Sequence, residues 1–224
     1  MTLCPCCDGS SADALAAYFD RSVAEHDLVR YRRQGPDRTT RMLLDLVAPY
    51  GVQGAHVLDI GGGIGVVGQE LLGAGAASAV LVDASPAYLA VARREAEAAG
   101  LGDRIEIVEG DFVRVAADIA PADIVTLDRV ICCYPDADAL VGASAERARR
   151  LYAIVLPRDR WLLRAAVALL NLGYRLRGRA FRIFAHPNTR IDALVAAAGL
   201  VPWAERRTTL WRVVVYDRGV AAAP

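Results

Sequence analysis

The sequence predicts an α/β fold, a doubly wound and mostly parallel sheet of seven strands with an N-terminal helical cap. Three observations carry this. From residue 56 onward, short apolar runs alternate five times with helical segments. Strands that read as continuous apolar runs are those buried on both faces, as in parallel sheets covered by helices. A glycine-rich loop joins the first strand to the first of those helices, and two strands with no helix between them close the chain. Such a closing pair forms a hairpin and so adds an antiparallel strand.

Taken in order, residues 11–34 read as one helix ending at Gly35-Pro36, and Asp37 caps a second that stops before Pro49. The first strand is 56–60, followed by the glycine loop and a helix to about residue 74. Strand 79–83 leads to Ser85-Pro86, a helix cap followed by a first-turn proline, and the helix runs to Gly100. Strands 105–108 and 123–127 follow, then a helix over about 138–149 and a fifth strand at 152–156. An apolar helix spans 160–176, Asn188 or Thr189 caps another ending at Gly199, and the closing strands are 200–206 and 210–216. No linker or repeat interrupts the chain. The expected organisation is one domain over 1–224: a helical cap (1–50), a Rossmann-like core (51–217) and a tail (218–224).

The 26 basic and 26 acidic residues give zero formal charge, unlike a dedicated nucleic-acid binder. Every basic residue is Arg. Without Lys, Schiff-base chemistry, a P-loop and a Tyr-Lys dehydrogenase pair are all excluded. The N-terminal segment lacks the charged-then-apolar pattern of a signal peptide, and the most apolar run, 161–176, is too short to span a membrane and carries Arg164 and Asn171. Five cysteines without secretory spacing add to an expected cytoplasmic location. Cys4, Cys6 and Cys7 contain a CxxC, but no second pair completes a zinc set, so no metal is predicted. In an extended segment the adjacent Cys132 and Cys133 would face opposite ways, one packing and one lining a pocket.

The motif with most chemical content is VLDIGGGIG, residues 57–65. Its glycines allow a tight turn and close approach of a ligand to the backbone, and the next helix N-terminus attracts an anionic group. Gly63–Gly68 also satisfies GxGxxG, so a nicotinamide- or flavin-dependent oxidoreductase stays open. Asp59 counts against it, because a carboxylate there suits a cationic sulfonium cofactor better than a pyrophosphate. Asp83 ends the second strand, where a carboxylate can accept hydrogen bonds from ribose hydroxyls. Asp111 and Phe112 follow the third strand, placed to accept from an adenine amino group and to cover the base.

With VLDIGGGIG (57–65), LVDAS (81–85), EGDF (109–112) and ADIVTLDRVICCYPD (122–136) in this order, the chain resembles the class I S-adenosylmethionine-dependent methyltransferases over residues 36–217. The resemblance implies S-adenosylmethionine as cofactor and the strand order 3-2-1-4-5-7-6, with the last strand antiparallel. By position it implies that Gly61, Gly63 and Gly65 line the methionyl part, Asp83 the ribose, Asp111 and Phe112 the adenine, and the Leu127–Asp128 main chain the methionyl amine. The Asn- or Asp-Pro-Pro-aromatic motif of the nucleic-acid and protein amide methyltransferases is absent after the fourth strand. LDRVICCYP is loosely similar to the magnesium-protoporphyrin methyltransferases. The expected activity is therefore methylation of a small-molecule acceptor, on oxygen ahead of nitrogen, with no nucleic-acid partner. A cofactor-binding protein without turnover is a further alternative.

A base is needed mainly for a hydroxyl or ammonium acceptor. The candidates are His186, Asp128 and Tyr134, with His26, in mid-helix, read as packed or exposed rather than catalytic. Residues 144–190 hold 11 Arg and two acids, a local charge of +9. This stretch, with its apolar helix, reads as an ordinary crossover, as a lid for an apolar or anionic acceptor, or as a peripheral membrane contact, the last being least favoured.

Overall fold

A computed structural model describes Leu15 and residues 17–219. Helix α1 (Arg21–Gln34) begins at Asp20, whose extended backbone and side-chain bond to the Val23 amide interrupt the single helix expected over 11–34. Helix α2 (Arg38–Val47) starts as expected at Asp37, which accepts from the Thr39 and Thr40 amides. Then follow β1 (His56–Ile60), α3 (Val66–Gly73), β2 (Ser78–Asp83), α4 (Pro86–Ala98), β3 (Ile105–Glu109) and a single turn α5 (Phe112–Val115). Strand β4 (Ala122–Asp128), α6 (Ala137–Glu146), β5 (Ala148–Pro157), α7 (Trp161–Leu176), α8 (Asn188–Ala197), β6 (Val201–Arg207) and β7 (Trp211–Asp217) complete the described residues.

Two boundaries move. Residues 148–149, expected at the end of a helix, open β5, because Ala148 pairs with Ala122 of β4. Helix α8 is preceded by Pro187 rather than capped by Asn188 or Thr189. The Asn188 side chain instead ties down the end of β5, donating to the Pro157 carbonyl and accepting from the Asp159 amide.

The sheet order is β3-β2-β1-β4-β5-β7-β6. Strands β1 to β5 pair in parallel, and β7 runs antiparallel to both neighbours. Alternate side chains of a strand face opposite sides. Leu58, Ile60, Val125 and Leu127 therefore pack toward α6 and α8, while Val57, Ile124, Ala153 and Val155 pack with α2 and α3. Helix α2 thus belongs to the layer over the sheet rather than to a cap over its edge. Helix α1 joins a smaller cluster, in which Ala24 and Leu28 meet Ile64, Tyr88 and Val91.

One residue of β1 departs from this apolar pattern. Asp59 is fully buried opposite Thr126 of β4, whose hydroxyl donates to Oδ1 at 2.7 Å. Among the described residues Oδ2 has no hydrogen-bond partner of good geometry, although the Gly68 amide offsets part of the penalty. Burial pushes this carboxyl up to about 7.

The sign of the consequence follows. Between the unfolded value near 3.8 and about 7 the folded chain binds more protons than the unfolded one. Stability from this group is present at low pH and is lost as pH rises through that window. Asp83 and Asp128 are also raised by burial and act in the same direction. Asp59→Asn should therefore flatten the fall in stability between pH 4 and 8, by up to about 1.4 kcal/mol per pH unit for one proton. Urea titrations across that range measure the slope, and an unchanged slope would contradict the assignment.

Candidate functional site

Beyond the carboxyl ends of β1, β2, β3 and β4 lies a cavity of about 580 Å³. Open parallel sheets bind their ligands on this side. Its lining includes Gly61, Gly62, Gly63, Asp83, Asp111 and Phe112, and also the apolar and aromatic side chains of Tyr18, Phe181, Ile183, Leu163 and Val167. Asp128, Arg129, Cys132, Cys133 and Tyr134 also line it, from the segment after β4.

The glycine loop fits this place because side chains do not. Gly61 has φ +61°, and a Cβ there would meet Val130 at 2.6 Å. A Cβ on Gly62 would come within 2.3 Å of Leu81 and 2.4 Å of Asp59 Oδ2. The bare backbone of this turn is thus open to a ligand on its cavity side. Asp83 stands beside it and accepts from the Gly63 amide at 2.9 Å and the Ser85 amide at 2.8 Å.

Asp111 caps α5 through the Val113 amide and receives the Tyr134 hydroxyl on both oxygens, at 2.9 and 3.0 Å. Burial and the Asp111 charge raise the Tyr134 phenol well above its usual value, so it is held as a donor. Asp128 is engaged on both oxygens: Thr40 donates to Oδ2 at 2.5 Å and Arg129 Nε donates to Oδ1 at 3.0 Å. Arg129 also pairs with Asp37, which lies at the start of α2. It is the non-glycine residue with positive φ (63°) among those described, a strained conformation typical of ligand sites.

The sequence-derived candidates divide. Gly61, Gly63, Asp83, Asp111, Phe112, Asp128 and Tyr134 meet around the cavity. Asp59 and Gly65 do not line it. Asp59 lies beneath the loop, with its Oδ2 under Gly62, and so braces the turn rather than facing a ligand. Gly65 precedes α3 in the left-handed conformation. His186 is also outside the lining. Its Nε2 lies 2.9 Å from the Tyr134 carbonyl and its ring stacks on Phe184, which fixes the loop path and keeps the imidazole from the cavity. Cys132 and Cys133 both reach the cavity, with Sγ atoms 3.8 Å apart, because the segment is a 3₁₀ turn and not extended. Cys4, Cys6 and Cys7 lie outside the described residues. Among those described, no cluster of His, Cys, Asp and Glu is able to hold a metal.

Sequence reasoning missed Asp37, Thr40, Tyr18, Phe181, Leu163 and Val167. Asp37 had a visible signal as a helix cap, but its pairing with Arg129 has none in local spacing. Tyr18 stacks on Phe181 with centroids 4.0 Å apart, and its hydroxyl lies 3.3 Å from that of Tyr174 on α7.

A family model described as "Methyltransferase domain" matches residues 57–152. The ribosomal protein L11 methyltransferase of Methylococcus capsulatus is 37% identical over 91 residues, covering 40% of this chain and 31% of that protein. The protein of the same name from Exiguobacterium sp. is 31% identical over 101 residues, covering 42% and 32%. The matched region thus spans about a third of the length of these curated relatives. The magnesium protoporphyrin IX methyltransferase of Synechocystis PCC 6803, solved with bound SAH, superposes with a TM-score of 0.69 at 20% identity, over 92% of this chain and 98% of that one. An O-methyltransferase family protein from Burkholderia thailandensis gives 0.63 at 23% identity, over 82% and 57%. The matched domain over residues 57–152 and this sheet order together support a class I S-adenosylmethionine-dependent methyltransferase.

Proposed function

We propose that the chain transfers a methyl group to an oxygen of an apolar small molecule that reaches the cavity already anionic. The observation that carries this reading is the cavity itself, lined both by carboxylates and by apolar and aromatic side chains, with its Asp128 and Tyr134 side chains already engaged and His186 outside it. When bound, S-adenosylmethionine supplies a methyl group made electrophilic by its sulfonium.

The residues present fit that cofactor. Gly61–Gly63 would leave room for its methionyl part, the Asp83 carboxylate would accept from the ribose, and Asp111 with Phe112 would hold the adenine. Asp83 and Asp128 are raised by burial, a penalty that a cationic ligand relieves. A pyrophosphate would bring more negative charge to Asp83, Asp111 and Asp128, which disfavours the dinucleotide reading.

The acceptor atom follows from what the wall can do with protons. Tyr134 is held protonated by Asp111, and Tyr88, which donates to Asp27, is likewise raised. Both Asp128 oxygens are occupied, and His186 faces elsewhere. A carboxylate or an acidic hydroxyl needs no base, so alignment and exclusion of water suffice. Arg30, paired with Asp27 at 3.1 Å on the cavity wall, is a cation that such an acceptor would meet. A small-molecule acceptor is further supported by the apolar and aromatic lining that Tyr18 and Phe181 contribute.

Titration calorimetry should show S-adenosylhomocysteine binding and no tight NADH binding, and the reverse would overturn the cofactor reading. Asp83→Ala should weaken S-adenosylhomocysteine by about 1–3 kcal/mol through lost charge-assisted bonds. For the acceptor, methyl-labelled S-adenosylmethionine and an apolar small-molecule extract should give a labelled ester or ether. Label carried on protein or RNA would sink that class. His186→Ala should lower kcat/KM by less than about tenfold, whereas a general base would contribute about 10²–10⁴-fold.

A further inference from the structure

Helix α7 has no buried residue, although its composition is that of a core helix. Its inner stripe is spoken for: Leu163 and Val167 line the cavity, Asn171 exchanges two hydrogen bonds with the Ile183 backbone, and Tyr174 meets Tyr18. At 100° per residue the opposite face carries Trp161, Leu162, Ala165, Ala168, Leu169, Leu172 and Leu176. Trp161 is 76% exposed, Leu169 72% and Leu176 78%. A crossover helix of ordinary kind would rest an apolar face on the sheet, so that reading of the stretch fails. A helix that is apolar on both sides normally has something on both sides.

The charges around this face identify the occupant. No acidic residue lies on α7. Residues 158–182 hold seven Arg against Asp159, a net +6. Arg160 precedes the helix, Arg164 and Arg175 border its apolar stripe, and Arg177, Arg179 and Arg182 follow it. Among the described residues, Arg164 pairs with Asp159, while Arg160, Arg175, Arg177, Arg179 and Arg182 have no carboxylate within salt-bridge distance. Apolar surface rimmed by unpaired guanidinium groups complements an anionic bilayer surface, into which apolar side chains sink while Arg meets the headgroups.

We propose that the outer face of α7 lies in the surface of an anionic membrane, parallel to it. The helix is about 24 Å long and does not span; no described helix is long and apolar enough to cross a membrane. Because Leu163 and Val167 on its inner side line the cavity, a molecule dissolved in the bilayer has one helix to pass. The docking itself stands independently of the acceptor chemistry proposed above.

Sedimentation with vesicles tests it. At low salt the chain should bind vesicles of phosphatidylcholine with phosphatidylglycerol about tenfold more strongly than phosphatidylcholine alone, and salt should erase the difference. Leu169→Glu with Leu172→Glu should abolish binding to both. Arg175→Ala, Arg177→Ala and Arg179→Ala together should remove the anionic preference. S-adenosylhomocysteine affinity in the variants, and their circular dichroism, check the fold separately. In the unaltered chain, brominated phosphatidylglycerol should quench fluorescence, and Trp161→Phe should remove that quenching. Failure of the unaltered chain to bind, equal binding to both vesicles, or quenching that survives Trp161→Phe would overturn the proposal. A dimer dissociated by Leu169→Glu, without vesicle binding, would assign the face to a second copy of the chain.

Discussion

At the end of β1 the chain turns in a space that admits no side chain. Val130 closes on Gly61 from one side, and Leu81 and the Asp59 carboxylate close on Gly62 from the other. The backbone passes between β4 and β2 only as bare peptide, and that places it on the cavity floor. The arrangement has a cost beneath it. Asp59 occupies a core position of a central strand with one oxygen satisfied by Thr126, where an apolar residue would pack without penalty. Buried polar groups of this kind are expected where a fold holds a functional turn.

The fold was legible because the signals that set it are local. Apolar strands, the caps at Asp37 and Ser85-Pro86, and the helix-free closing pair each need only a few neighbouring residues. Strand order beyond a doubly wound sheet came from resemblance, since crossover choice is not a local property. The failures were also local signals overridden at a distance. Asn188 looks like a cap, but its amide is used by the end of β5. His186 looks catalytic by type, but backbone and ring contacts hold it elsewhere. Asp59 was expected beside the ligand and instead lies beneath the loop, outside the cavity lining, because a strand's alternation shows which side a residue takes but not which side of a turn is open. The apolar part of the cavity lining was illegible, since Tyr18, Leu163 and Phe181 lie far apart in sequence.

Charge is distributed with the same economy. The zero balance hides two local groupings, carboxylates around the cavity at Asp37, Asp83, Asp111 and Asp128, and exposed guanidinium groups around α7. Inside, Arg129 lies between Asp37 and Asp128, Arg114 lies 3.8 Å from Asp111, and Asp83 has no cation within salt-bridge distance among the described residues. The cavity suits a cation and the surface around α7 suits anions, and each would be obscured if charge were averaged over the chain.

The bridge from Asp37 through Arg129 to Asp128 has a mechanical meaning. It ties the start of α2 to the end of β4 through charges that are partly buried, and Thr40 adds a second fastening between the same two elements. Swinging α2 aside would strand a guanidinium and two carboxylates. The wall built by Tyr18, α7 and the segment after it is held among the described residues chiefly by neutral contacts, the Tyr18–Tyr174 and Asn171–Ile183 bonds and stacked rings. The cavity is thus bounded on one side by fixed charges and on the other by rings and neutral hydrogen bonds, so salt would loosen the first wall and leave the second untouched.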